Sequence, residues 1–341
     1  MNIFNVKNIK FYILIILLIF LNINYKNIYK GGNNNFTIFK KVNLDNKLLV
    51  STSLFIKKNI NLENNEYIKG LDKLYNWCLK NNYVLRIYFD ESSYVYIKEK
   101  YLNKSNIELY KYFFPKFYLK NEKIHYGTFG TFARFYPLFN IKNHYHKHVL
   151  IADCDFDKRL EISYIQLINF INKHKKLYNN MLISKSRFCY ADYQRFRNVY
   201  NKEFPFMAGC MYSYNNNFNI NILENYIDNL KVKDAIYGCD EHFINTDFFK
   251  TLKKYNVFVL LDRFCFLNIK NYNSSSKNYI MYYKCYNIFH EYIKNIKKDI
   301  EITNLKQTVS NINNIKKKYK LNKQEILYIK CIYYNYYYGK K

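Results

Sequence analysis

No C-x-x-C pair occurs among the eight cysteines of this 341-residue chain, so neither a zinc ribbon nor a thioredoxin-like redox site is expected. The cysteines, at 78, 154, 189, 210, 239, 265, 285 and 331, sit mostly inside apolar runs, where a free thiol behaves as a small hydrophobe. No Walker A segment and no G-x-G-x-x-G occur, which removes the usual triphosphatase and dinucleotide fingerprints. No G-x-S-x-G occurs, which argues against an α/β-hydrolase. No internal repeat of fixed period is found. Acidic residues are scarce, with 26 Asp and Glu against 54 Lys and Arg, for a formal net charge of +28.

A balance this basic ordinarily points to nucleic acid or an anionic surface. Here the lysines are scattered among Asn, Ile and Tyr, all residues of A/T-rich codons, and genome base composition accounts for them equally well. Nucleic acid is therefore not the expected partner, although a non-catalytic protein binding nucleic acid or anionic surfaces stands as the alternative. A basic surface also suits polyphosphate ligands. Hydrophobic residues make up 49% of the chain, enough for a full core, and aromatics are plentiful, with 39 Tyr and 28 Phe but 1 Trp.

The run from Phe11 to Leu21 is apolar throughout, preceded by Lys7 and Lys10. It is shorter than the roughly 20 residues that span a bilayer comfortably, and fits a signal-peptide core or a short signal-anchor. No small-x-small cleavage site follows, which favours an uncleaved anchor. Residues 1–24 are thus expected to anchor a single-pass membrane protein of the secretory pathway, or to be removed from a secreted one; a buried helix is the other reading. Residues 25–45 are polar and read as a stem.

Beyond them, strands are expected at Leu48–Ser53, Tyr83–Phe89, Ile107–Phe114, Val149–Ala152, Met181–Ser184, Phe206–Tyr212 and Asn256–Leu261. Helices are expected at Glu66–Lys80, Thr128–Phe139, Ile162–Tyr178 and Ile220–Leu230, with another from near Asp240. Strands alternating with helices indicate an α/β domain with a largely parallel sheet. Residues 46–266 form that domain in this division, and residues 267–341 are a Tyr-, Lys- and Asn-rich extension.

Asp153-Cys154-Asp155-Phe156-Asp157 follows directly on the apolar strand Val149-Leu150-Ile151-Ala152. Alternation puts Asp153 and Asp155 on one side. Magnesium and manganese take oxygen ligands, commonly one or two carboxylates plus substrate phosphates. Asp is also common in simple turns. The alternating histidines His144, His146 and His148 fit a zinc or copper site or, more simply, a polar strand entry. The aromatic and basic tail from Lys316 to Lys341 suits nucleic-acid stacking or a packed helix.

Four segments occur in order: Ser51-Thr52-Ser53-Leu54-Phe55 with Tyr67-x-x-Gly70 and Arg86 to Asp90; Gly130-Thr131-Phe132-Ala133-Arg134-Phe135-Tyr136-Pro137-Leu138; Val149 to Asp157; and Phe206 to Gly209 with Tyr237-Gly238-Cys239-Asp240-Glu241-His242-Phe243-Ile244-Asn245. This series, over residues 48 to 262, resembles the GT-A class of nucleotide-sugar glycosyltransferases. The resemblance implies a GT-A-like, Rossmann-related mixed sheet flanked by helices, a nucleotide diphosphate-sugar donor, and an acceptor that is glycan, protein or lipid. It implies that Asp153 and Asp155 hold manganese or magnesium, and that Arg134 faces the donor with its planar fork. Ser51, Thr52, Ser53 and Asp90 would meet the nucleotide from the strand ends. Gly209 would let the backbone approach the sugar. Asp240 and Glu241 would serve as the carboxylates near the acceptor, one of them as base; the simpler role for both is to complement a helix dipole. A late histidine ligand, common in metal-dependent members, has no matching context at His290. A metal-dependent phosphotransferase or nuclease would use the same acidic cluster.

Overall fold

The computed structural model describes residues 35–43, 46–56, 65–140, 146–186, 206–215, 217–252, 255–262, 265–268 and 305–322, together with residues 285, 288, 289, 291, 325, 326 and 329. The apolar run from Phe11 to Leu21 lies outside them. Among the described residues no helix is long and apolar enough to cross a membrane.

A nine-stranded mixed sheet organises the chain. Its strands are β1 (Phe36–Lys40), β2 (Leu49–Leu54), β3 (Val84–Phe89), β4 (Ile107–Tyr112), β5 (His148–Ala152), β6 (Met181–Ser186), β7 (Phe206–Tyr214), β8 (Val257–Asp262) and β9 (Cys265–Asn268). They lie in the order β1-β4-β3-β2-β5-β7-β6-β8-β9. The β4-β3-β2-β5 stretch is parallel, as is β6 with β8. The pairs β1/β4, β5/β7, β7/β6 and β8/β9 are antiparallel. The largely parallel sheet expected from strand–helix alternation is thus parallel in only half of its pairings. Strand direction leaves no local mark, because a strand buried on both faces reads as the same apolar run either way.

Period-2 alternation sorts the strands onto two cores. Leu85, Ile87 and Phe89 face one core and Tyr88 the other; Leu150 and Ala152 face the first, Val149 and Ile151 the second. Helices α1 (Glu66–Lys80) and α3 (Lys158–His174) cover the first core. In α1 the Asn65 side chain accepts the Tyr67 N–H at 2.8 Å as an N-cap, and the stripe Ile68, Leu71, Leu74, Tyr75 and Cys78 is buried. Its Ile and Leu side chains each contribute roughly 1.5–3 kcal/mol by leaving water. Helix α2 (Tyr94–Tyr101) lies on the same side.

The second core holds a ten-residue 3-10 helix, Phe129–Leu138, in which every residue but Thr131 is buried. A 3-10 run of that length is uncommon and needs tertiary support. Aromatic packing provides it here, with Phe129 stacked on Phe117 at 4.0 Å between ring centroids. Helices α4 (Asn221–Asn229) and α5 (Cys239–Phe243) complete this layer, and α5 runs on into a π-helical segment, Ile244–Phe248.

Three boundaries differ from expectation. The polar stretch 25–45, read as a stem, contributes β1, an edge strand antiparallel to β4 whose Phe36 ring lies 4.5 Å from that of Tyr136. The region 267–341, read as an extension, sends Cys285, Ile288, Phe289, Ile312, Ile315, Leu321 and Ile329 into the second core. Ile312 and Ile315 belong to α6 (Leu305–Tyr319). The amphipathic helix expected over 162–178 starts four residues earlier, at Lys158, because Asp157 caps it by accepting the N–H groups of Arg159 and Leu160 at 2.9 Å each.

Candidate carboxylate site

Strands β2, β3 and β5 run parallel, so their carboxyl ends share one edge of the sheet, the edge at which open α/β sheets bind ligands. Ser51 pairs in register with Ile151. Two residues further on, the strands deliver Ser53 and Asp153 to the same margin. By alternation Asp153 continues the face of Val149 and Ile151, towards the 3-10 helix that carries Arg134.

A cavity of about 230 Å³ opens there. Ser53, Arg134, Asp153, Asp155, Gly209, Asp240 and Glu241 all line it. The sequence thus marked seven residues that the fold gathers from five separate segments. Arg134 is the hub. Its Nη1 is hydrogen-bonded to Asp153 Oδ1, and its Nη2 donates to Asp240 Oδ2 at 2.7 Å. Burial opposes the guanidinium's charge, but Asp153 and Asp240 together outweigh that and raise its pKa above the ordinary value. Arg134 Nε is buried without a protein partner.

The backbone around Asp153 is equally constrained. Tyr164 Oη accepts the Asp153 N–H at 2.9 Å and donates to the Gly209 carbonyl at 2.9 Å, clamping β5 to β7 where they part. A Cβ on Gly209 would fall 1.8 Å from Asp153 Oδ2, so only glycine leaves room for that carboxylate. A Cβ on Gly70 would fall 2.3 Å from the Cys154 carbonyl and 2.5 Å from the Phe156 nitrogen. Helix α1 therefore presses its glycine directly on the backbone of the acidic loop. Gly238, at φ 84°, takes the left-handed conformation that starts α5 and turns Asp240 and Glu241 into the cavity. Asn245 holds that helix in place: its Oδ1 accepts the Phe206 N–H at 2.8 Å and its Nδ2 donates to the Glu241 carbonyl at 2.8 Å.

Asp155 lines the cavity while remaining open to solvent on one side. Partial burial, and then the charge of Asp153, push its pKa up from 3.8. Cys154 lies between the two carboxylates at the cavity wall and packs against the first core; burial first, and the charges of Asp155 and Asp153 second, push its thiol up. The two carboxylates of this loop are hard oxygen donors, the kind that suits manganese or magnesium. Among the described residues no group of three or more His, Cys, Asp or Glu converges as a ready metal cage. Two carboxylates fit a hard ion whose remaining ligands are phosphate oxygens and water.

Three expected site residues lie elsewhere or do other work. Ser51 is fully buried and donates to the Arg134 carbonyl at 2.7 Å, so it supports Arg134 rather than meeting a nucleotide. Thr52 is fully buried on the sheet. Asp90, 1% exposed, accepts the Ser92 N–H at 3.0 Å and lies 3.1 Å from His125 Nδ1. His125 Nε2 accepts the Phe114 N–H at 3.0 Å, which leaves the proton on Nδ1 to donate to Asp90. Asp90 is thus a structural anchor. Asp157, the last carboxylate of the acidic run, is occupied as the α3 cap. Conversely Phe55, Tyr67, Thr131 and Tyr237, which stand in the motif segments without an assigned role, line the cavity, as does Thr128. In a chain with 39 tyrosines, two more carry no signal of their own.

No protein-family model, no curated protein and no solved structure matches this chain.

Proposed function

We propose that this protein is a metal-dependent glycosyltransferase that moves a sugar from a nucleotide diphosphate-sugar donor to an acceptor hydroxyl. The observation that carries this is the convergence of Asp153, Asp155, Arg134, Asp240 and Glu241 on one cavity at the carboxyl margin of parallel strands. Asp153 and Asp155 would hold manganese or magnesium, which when bound supplies Lewis-acid stabilisation of the departing diphosphate.

The chain's own residues divide the rest of the work. Arg134, held charged, adds a cation beside the site where diphosphate charge develops. Asp240 is committed to Arg134 and acts by holding that guanidinium in position. Glu241, adjacent on the same turn and lining the same cavity, is the carboxylate assigned to take the acceptor proton. Ser53, Phe55 and Thr131 bound the donor end, with the Phe55 ring as a face for a base or sugar.

The test is product analysis after incubating the full chain with manganese and nucleotide sugars. Release of nucleoside diphosphate, abolished in Asp153→Ala and Asp155→Ala with the fold intact, is expected. Cleavage of oligonucleotides instead would support a nuclease using the same acidic cluster.

A further inference from the structure

A second, larger cavity of about 810 Å³ lies across a single turn from the carboxylate site. The two share the wall formed by residues 236–242. Tyr237, Gly238, Asp240 and Glu241 face the smaller cavity, while Ile236, Cys239 and His242 face the larger. The wall is firmly built. Thr128 N–H donates to the Ala235 carbonyl at 2.9 Å, and Tyr226 Oη and His242 Nδ1 are 2.8 Å apart.

Its crest is apolar and open. Ile236 is 56% exposed and Tyr237 63% exposed, two adjacent large hydrophobic side chains given to solvent at the boundary of two cavities. Tyr67, 51% exposed, stands at the smaller cavity as well. Exposed apolar side chains grouped at a cleft mark binding surfaces more often than isolated ones do.

The lining of the larger cavity narrows the ligand. Lys231 and Lys250 are matched by Asp234 and Asp247, and Lys250 pairs with Asp247 at 3.4 Å. On a chain with 54 basic and 26 acidic residues, a charge-balanced cavity is a departure. It gives an anionic polymer no net attraction. Asn225 and Asn229, one helical turn apart on α4 and both exposed, present two amides on one face. Amide groups that both donate and accept, set beside aliphatic and aromatic faces, are the chemistry that matches the hydroxyls and C–H faces of a sugar chain.

We infer that the larger cavity is an acceptor subsite for a neutral oligosaccharide, which crosses the Ile236–Tyr237 crest to bring its terminal hydroxyl beside Glu241. This rests on the glycosyltransferase reading above, and the two are tested separately.

The full chain is titrated with neutral gluco-, manno- and N-acetylglucosamine oligosaccharides of increasing length, with a heparin tetrasaccharide and with a single-stranded oligonucleotide. UDP and GDP with manganese are titrated in parallel. Affinity for one neutral series is expected to rise about tenfold or more from monosaccharide to tetrasaccharide, because each added unit gains contacts. Ile236→Ser and Asn229→Trp are expected to remove most of that gain while leaving the nucleotide titration unchanged. Ile236 is exposed, so its replacement leaves the core intact. No binding by any neutral series, binding independent of length, insensitivity to both variants, or salt-sensitive binding to the anionic probes alone each overturns the subsite. Loss of nucleotide binding with oligosaccharide binding retained would instead overturn the donor site.

Discussion

Arg134 Nη2 donates to Asp240 Oδ2 at 2.7 Å across 106 positions of sequence, and the same guanidinium binds Asp153. The side chains of Arg134 and Asp240 are 7% and 8% exposed, so this is a buried charge network rather than a surface bridge. It joins the acidic loop after β5 to the helix that begins at Gly238.

Removing the hub leaves two carboxylates facing each other without a cation. Arg134→Met is expected to lower unfolding stability by about 3–5 kcal/mol, the scale for breaking a buried ion pair. Arg134→Lys should recover only part, since an ammonium cannot span both carboxylates as the planar fork does. Urea denaturation measures both. A loss below about 1 kcal/mol would mean the network behaves like an exposed pair.

Two glycines should respond differently to alanine. At Gly209 the added methyl meets the Asp153 carboxylate, a side-chain end able to move. Gly209→Ala is therefore expected to lose manganese-dependent nucleotide binding and, because the displaced carboxylate loosens its bond to Arg134, only part of the network's stability. At Gly70 the methyl meets the backbone of Cys154, Asp155 and Phe156, which cannot swing aside as a side-chain end can. Gly70→Ala should lower stability by about 1–3 kcal/mol as an overpacked contact. Thermal melting alongside nucleotide titration distinguishes them, and equal behaviour of the two variants contradicts the geometry.

Asp155 carries a pH signature. Its folded pKa is raised from 3.8, first by burial and then by the Asp153 charge. The native state therefore binds more protons than the unfolded state just above pH 3.8, and stability from this group falls as pH rises through that window. Without divalent ions, Asp155→Asn should be more stable than wild type at neutral pH, with the difference disappearing in acid. Manganese should stabilise the wild type and not the variant, because binding to the native state raises its apparent stability. A variant less stable than wild type at neutral pH would show that Asp155 is held by favourable partners.

Glu241 and Asp240 are expected to separate by kinetics. Glu241→Gln should reduce transfer by about 10²–10⁴-fold, the range for losing a general base, with nucleotide affinity preserved. Asp240→Asn should lower both stability and nucleotide affinity, since it loosens Arg134. Full transfer activity in Glu241→Gln would assign the base elsewhere.

Much of this was legible in the sequence, for identifiable reasons. The helix Glu66–Lys80 and the strands at 84–89 and 149–152 were readable because burial on one stripe or both faces writes a clear hydrophobic period. Strand β1 was not, because its burial pattern alternates between half-buried and exposed at a sheet edge. The acidic loop, Arg134 and Asp240 stood out because charge next to apolar runs is informative. Asp90, Ser51 and Thr52 looked the same in sequence, yet the fold uses Asp90 and Ser51 to satisfy hydrogen bonds of its own framework and buries Thr52. Phe55, Tyr67 and Tyr237 stand in the motif segments yet take no role from the sequence, since an aromatic lining a cavity and one filling a core share the same letter. The antiparallel entry of β7 beside β5, which brings Gly209 onto Asp153, is a long-range pairing with no local trace.

The most direct test is calorimetric titration of the full chain with UDP and GDP, with and without manganese, in wild type and in Asp155→Ala. Nucleotide binding that requires manganese in the wild type and is lost in the variant, with the melting transition preserved, is the predicted result. Binding that is indifferent to manganese, or unchanged in the variant, would contradict a carboxylate-held cation as the seat of the donor diphosphate.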